Sequence, residues 1–397
     1  MITLAAIVFW VSVGLVFHSY VLFPVLLKLF AVGKKENDIV YSAIDKDLPE
    51  VYVVFSVFNE QKVIQEKLES IVNTKYPLHK LHVYIGSDNS TDDTNDIIGR
   101  FAAQHSLVRF FKFGERNGKS GVINKLMGEL NNGILGPDDV LIFTDANVMF
   151  TATTIYEMVK HFKLKSIGQV AANILSRSVT AEGISVQEKS YVERENSIKY
   201  REGLNWGSMM GAFGACYAMR ANCWVTIPPN YLMEDFYLSM NVLKKGNKAI
   251  SDLKAICYED VSVEVGEEFK RKSRIQAGNF QNLGVYWKLL LGFNAVAFCF
   301  LSHKVIRWLG PVFIVGAYIS NIMLLGNGWF YLFTFILQNM LLVSPVVDAV
   351  LKRVGVHLVV LRFASYFYTM NLALVNGFVM YVRGIKTNAW NPTKRTV

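Results

Sequence analysis

Charge is missing from long stretches of this 397-residue sequence. Residues 2–27 hold no Asp, Glu, Lys or Arg, a run long enough for a helix to cross a hydrocarbon core of roughly 30 Å. The run also lacks a basic segment before it and a small-residue cleavage site after it, so it reads as an anchor and not as a removable signal. Cysteine is scarce. Cys216, Cys223, Cys257 and Cys299 have neither metal-ligand spacing nor the density of a disulfide framework, which favours a reducing, cytoplasmic face. His18 and His161 have no ligand-spaced partners and read as structural.

Apolar residues are abundant instead, at 52% with a positive mean hydropathy, more than a purely soluble chain usually carries. Residues 308–347 are again free of charge and are interrupted by Gly326-Asn327-Gly328, a turn between two expected spans. Residues 363–382, between Arg362 and Arg383, make a third. The short apolar stretch 289–302 is flanked by Lys288, His303, Lys304 and Arg307, which suits a helix lying in the interface. A formal charge of +9 raises nucleic acid as a partner, but the basic residues gather at Lys34-Lys35, in "FKRKSR" at 269–274 and after Arg383. That is the positive-inside pattern of a membrane protein, and no nucleic-acid partner is expected. One span before the charged middle and three after it would put the tail outside, against the preference of Arg383, Lys386, Lys394 and Arg395 for the cytoplasm. A transporter would need polar residues inside its spans, and only Asp348 lies at a span edge.

Between the anchors, residues 48–266 are mixed and charged, enough for one sizeable core. "VYVVFSV", "LHVYIGS", "SLVRFFKF" and "DVLIFTDA" read as buried strands, and helical periodicity follows the first three, with Ser90, Thr91 or Asp92 available as caps for the second helix. The alternation predicts an α/β domain with a largely parallel sheet. Ligands in such sheets bind beyond the carboxyl ends of the strands. Those ends carry "FNE", "DNSTDD", "GERNGKS" and "DAN". "GERNGKS" is one residue too short for a phosphate-binding P-loop, yet its glycine turn, Arg116 and Lys119 can hold a diphosphate at a helix N-terminus. Asp145, at the tip of an apolar strand, is expected to face a divalent ion that a nucleotide diphosphate completes, with Asn147 beside it.

The ordered series "VVFSVFNE", "GSDNSTDDT", "ERNGKSGVINKL", "TDAN", "GAFGACYAMR", "MEDFYLSMNVLKKG" and "KRKSRIQAGNFQNL" resembles the motifs of membrane-bound family 2 glycosyltransferases, the group of the chitin, cellulose, hyaluronan and poly-N-acetylglucosamine synthases. The resemblance covers about residues 50–285 and implies a GT-A domain over 48–266, after an anchor over 1–33. Interfacial helices would follow over 267–303, transmembrane segments over 304–385 and a basic tail over 386–397. It also implies Asn59, Glu60, Asp88, Ser90, Arg116, Lys119 and Asp145 as nucleotide-sugar ligands, with Asp88 at the base. Asp145 and Asn147 would hold magnesium or manganese, Asp235 would be the general base, and Arg274 would steady the leaving diphosphate. A helix cap is the competing role for Glu234-Asp235. Inversion is expected, because one base and no nucleophile pair is evident.

The sequence departs from the family at Asn147, where a second aspartate is usual, and at Arg271 and Ile275, where glutamine and tryptophan are usual. The expected function is a multi-pass cell-membrane hexosyltransferase with a cytoplasmic catalytic domain. It would move a sugar from a UDP-linked donor to a lipid-linked or growing surface glycan, with export or polymer-assembly proteins as candidate partners. The alternatives are a processive polysaccharide synthase that translocates its polymer and a catalytically inactive membrane regulator.

Overall fold

The computed structural model describes residues 1–131, 133–177, 184–260, 264–354, 356 and 358–389. Helix α1 (Ile2–Phe30) carries no acidic residue and, apart from His18, only Lys28 as a basic one, and contains a π-type turn at His18–Leu22. Strands and helices then alternate: β1 (Val51–Val57), α2 (Ile64–Val72), β2 (Leu81–Asp88), α3 (Thr94–Gln104), β3 (Val108–Phe113), α4 (Gly118–Asn131) and β4 (Val140–Thr144). The expected Ser90, Thr91 or Asp92 cap moves one residue on. Asp93 is the N-cap of α3, and Asp92 Oδ1 accepts from the Thr94 N–H.

After β4 come β5 (Met149–Phe150), α5 (Thr154–Val159), β6 (Ile167–Ser176), α6 (Ser185–Trp206), β7 (Cys216–Arg220), α7 (Glu234–Lys244), β8 (Lys248–Glu259) and α8 (Val265–Tyr286). One eight-stranded sheet results, in the order β3-β2-β1-β4-β7-β6-β8-β5. β1 runs parallel to β2 and β4, and β2 to β3, while β7 is antiparallel to both β4 and β6. All seven residues of β1 are buried, as expected of a parallel strand covered on both faces. Tyr52 and Val54 face one core with α4, whereas Val51, Val53 and Phe55 face the other with α2 and α3. In-register pairing of Val57 with Ser87 brings the carboxyl ends of the first strands to one edge, and the polar loops meet there. This is the GT-A-like, mostly parallel α/β fold.

The helices after α8 depart from the simple expectation for 289–302 and 308–347. A 3₁₀ turn at Trp287–Leu291 precedes α9 (Ala295–Trp308), which Asn294 caps by accepting from the Ala297 N–H at 3.0 Å. α9 bends by 64° into α10 (Gly310–Leu324), at whose start Pro311 sits. A proline is tolerated in a first turn but cannot continue the preceding helix. α11 (Trp329–Arg353) and α12 (Val359–Val382) complete the chain.

Among the described residues, Ile2–Phe30 and Trp329–Leu351 are long and apolar enough to cross a membrane, and α9 with α10 adds a third crossing if the pair is one broken span. α12 covers the expected third span but is not among these. It lies along α8 so closely that a Cβ on Gly377 would stand 2.4 Å from the Ser273 carbonyl oxygen.

Candidate active site

The loops after β1 and β2 form one unit. Asn59 and Asn89 take left-handed backbone conformations, φ 52° and 62°, which asparagine tolerates better than most residues. The Asn59 N–H donates to Ser90 Oγ at 3.2 Å, Asn59 Oδ1 accepts from the Thr91 N–H at 2.8 Å, and the Glu60 N–H donates to Thr94 Oγ1 at 2.9 Å. Asn59, Glu60 and Ser90 therefore brace the loops. Asp88 is fully buried and organises a third loop. Its Oδ2 accepts from Arg116 Nε at 3.0 Å and from the Gly118 N–H at 3.1 Å, and its Oδ1 accepts from the Asn117 N–H. The Arg116 guanidinium also lies 3.3 Å from the centre of the Phe58 ring.

Lys119 lies at the centre of the charged cluster. Its Nζ is 2.7 Å from Asp145 Oδ1 and 2.8 Å from Glu234 Oε1. Burial works against the charge of Lys119, but the two carboxylates outweigh it and hold its pKa above the usual lysine value. Glu234 is a site residue that sequence reasoning weighed only as part of a helix cap. The cap of α7 is instead Met233, with no side-chain cap hydrogen bond. Glu234 pairs with Lys119, while Asp235 borders a separate chamber.

Asp235 is 7% exposed and accepts from the Phe236 N–H at 2.8 Å. Burial, reinforced by the neighbouring Glu234 charge, pushes its pKa up to about 6, against the pull of Lys119 and Lys199. Gly214 makes room for this carboxylate, since a Cβ there would stand 2.9 Å from Asp235 Oδ2. Gly214→Ala is accordingly expected to lower turnover roughly 10-fold to 100-fold, as small displacements of a reacting group do, with nucleotide affinity unchanged in a titration of the purified protein.

Arg274 faces the same cluster. Burial lowers its pKa, against the opposing charges of Glu234, Asp145 and Asp235. Its neighbours Arg271 and Lys272 are held elsewhere, on Glu188 and Glu268. Arg274 Nη2 donates to the Asn388 carbonyl at 3.4 Å, and Asn388 is a second residue that sequence reasoning missed. A Cβ on Gly118, which has φ +71°, would meet Asn388 Oδ1 at 1.9 Å. The chain near its C-terminus thus returns across the helix N-terminus expected to hold a diphosphate. Lys394 and Arg395 of the basic tail lie outside the described residues.

For a divalent ion, the described residues contain no group of three or more His, Cys, Asp or Glu side chains. The sparse mode still fits. The Asp145 side chain is 35% exposed with one oxygen on Lys119, and the Asn147 amide donates to Glu259 Oε1 at 3.2 Å, leaving its own oxygen for a ligand. Diphosphate and water would supply the remaining ligands.

The family described as Glycosyl transferase family 2 matches residues 52–222. "Probable glycosyltransferase YdaM" of Bacillus subtilis is 32% identical over 93 residues, 23% of this chain and 22% of that protein. "Beta-monoglucosyldiacylglycerol synthase" of Nostoc sp. is 26% identical over 129 residues, 32% of this chain and 26% of that protein. These alignments span about a quarter of the length of either relative. The structure of the Pyrobaculum calidifontis mannosyltransferase PcManGT, in complex with GDP-Man and Mn2+, shares the fold at 19% identity and a TM-score of 0.68, over 94% of this chain and 99% of that one. Residues 52–222, which bring Lys119 onto Asp145, thus match glycosyl transferase family 2, and the fold is GT-A-like.

Proposed function

We propose that the protein is a membrane-embedded, inverting glycosyltransferase that moves a sugar from a nucleotide donor to a lipid acceptor. The observation that carries this reading is the division of labour at the start of α7. Glu234 belongs to the cationic donor side with Lys119, and Asp235, with its raised pKa, opens onto a separate chamber that leads toward the membrane helices. Departure of a nucleotide diphosphate from an anomeric carbon builds negative charge on the leaving group and positive charge on the sugar. Cations on one side and a carboxylate base on the other meet that need. Lys119, Arg116 and Arg274 would face the diphosphate, and a magnesium or manganese ion held by Asp145 and Asn147 would neutralise it.

The Nostoc relative is named for transfer involving diacylglycerol, and a lipid acceptor suits an active site next to α1 and α12. UDP sugars are the donors to test first, with GDP and dTDP sugars beside them. Purified full-length protein in detergent should release the nucleotide diphosphate and form a labelled lipid. Diphosphate release without any glycolipid, from every donor, would sink the reading.

Contact supports one side for the last described residues. Asn388 reaches Gly118, which favours residues 383–389 and the catalytic domain on the same side, with an even number of crossings between them. The broken pair α9–α10 and α11 supply two. This supports a cytoplasmic domain and tail, in agreement with Arg383 and Lys386.

A processive synthase finds no comparable support. Ile275, which borders the acceptor chamber, offers no aromatic floor, and a ring contributes about 0.5–1.5 kcal/mol beyond its area in such contacts. Wild-type product is expected to be a short extension of one or a few sugars, and Ile275→Trp is expected to retain activity. A high-molecular-weight ladder formed while most acceptor remains unused would favour the synthase.

A further inference from the structure

Two adjoining chambers lie on the acceptor side of Asp235. The inner one, about 200 Å³, is bounded by Asp235, Lys199 and Phe213, and the outer one, about 350 Å³, by Tyr20, Arg194, Met370 and Leu374. Tyr191, Lys272, Ile275 and Trp308 border both. Tyr20 lies seven residues before the end of the charge-free run at Leu27. Phe23 and Leu27, which follow it, are buried in the core of the α/β domain, so α1 leaves that core near Tyr20, where Arg194 donates to the Tyr20 carbonyl. The outer chamber therefore sits near the boundary between headgroups and acyl chains, where a lipid can enter sideways and a soluble glycan cannot. Between α1 and α12 the Tyr20 and Phe367 rings meet edge to face at 5.8 Å.

The chamber walls are more polar than packing requires. α6 turns Glu188, Glu195, Lys199 and Glu202 inward on one face, each at most 4% exposed. The three carboxylates have partners. Glu188 holds Arg271 at 2.7 Å, Glu195 holds Arg307 and Lys304, and His303 bridges Glu195 at 3.0 Å and Glu202 at 2.7 Å. Lys199 has no ion pair or hydrogen bond among the described residues, and its ammonium lies 3.2 Å from the centre of the Phe213 ring. Burying such a cation without a hydrogen-bond partner is costly. In the outer wall, Gln187 Oε1 and Asn371 Oδ1 are buried without a donor among the described residues.

We propose that the two chambers are the acceptor site, that the acceptor is a membrane lipid with a hydroxylated headgroup entering between α1 and α12, and that Lys199 is a positioning residue holding a headgroup oxygen beside Asp235. The proposal rests on the transferase reading above and adds the acceptor's location, entry and anchor. In the step, Asp235 takes the proton of a headgroup hydroxyl, and that oxygen bonds to the anomeric carbon. The bond from this carbon to the diphosphate breaks, and its electron pair leaves on the diphosphate. Lys199 donates to a neighbouring headgroup oxygen. The charged groups acting on Lys199 are Glu195 and Glu202 on α6, Asp235 on α7 and Lys304 on α9.

The test uses full-length protein in detergent, with diacylglycerol and monoglucosyl-diacylglycerol as acceptors. Lys199→Met should raise the acceptor KM by about 10-fold or more, the scale of losing a charged hydrogen bond, and leave the nucleotide Kd unchanged. Lys199→Arg should restore most of the loss. An unchanged acceptor KM in Lys199→Met, or loss of nucleotide binding with it, would overturn the assignment. A second readout needs no turnover. Diacylglycerol with a diazirine at C2 of one acyl chain should label residues 363–374 and the peptide containing Tyr20, and label them less in Lys199→Met. Label spread evenly over the apolar helices would overturn the site. Specific label in a protein that glycosylates no lipid would keep the lipid site and remove the transferase reading.

Discussion

Asp235→Asn is expected to cut transfer by about 10²–10⁴, or roughly 3–5 kcal/mol of transition-state stabilisation, while nucleotide binding survives. The amide keeps the shape and can still accept from the Phe236 N–H, whose bond to Oδ1 is 2.8 Å, but it cannot take a proton. Rate against pH carries a linked signature. The base works ionised, so wild-type activity should rise as pH passes through about 6 and level off above. Stability runs the other way. An aspartate with a folded pKa raised to about 6 favours the folded state while protonated, and that contribution is lost as pH rises from the ordinary aspartate range of about 4 through 6. Asp235→Asn should therefore melt no lower than wild type at pH 8 and lose the acid limb of any residual rate. A variant that loses nucleotide binding and chemistry together would instead make Asp235 a structural element of α7.

Much of the catalytic domain was legible because its evidence is local. β1 announces itself as a run of apolar and β-branched residues, and Asp88, Arg116, Lys119 and Asp145 all follow strand ends where a parallel sheet collects its ligands. Other features depended on distant partners. Nothing near Glu234 in sequence says that Lys119, 115 positions earlier, will hold it at 2.8 Å. Asn388 reaches Gly118 only because α12 folds back along α8. α6 is a harder case still: its buried face carries Glu188, Glu195, Lys199 and Glu202, the reverse of the apolar stripe by which a packed helix is recognised. The bend between α9 and α10 had a local signal in Pro311, overshadowed by the long charge-free run in which it lies.

Asp145→Ala is expected to abolish transfer and to remove the metal-dependent part of nucleotide affinity. In wild type the Asp145 carboxylate takes part of the Lys119 charge at 2.7 Å, and Glu234 takes the rest at 2.8 Å. Lys119 is therefore balanced before any donor arrives, and a diphosphate entering the cluster needs additional positive charge. An ion held by Asp145 would supply it. Without the carboxylate, Lys119 stays paired to Glu234 and the ion loses its charged protein ligand, so titrations of UDP or GDP should show the same weak affinity with and without Mn2+. Asn147→Asp makes the complementary case. It sets a second carboxylate against Glu259, to which the Asn147 amide donates at 3.2 Å. Like charges so placed repel unless a cation lies between them. That variant should need the ion more strongly than wild type and regain or exceed wild-type turnover at saturating Mn2+. Nucleotide affinity in Asp145→Ala that equals wild type and still responds to Mn2+ would place the ion elsewhere and leave Asp145 as a counter-ion of Lys119.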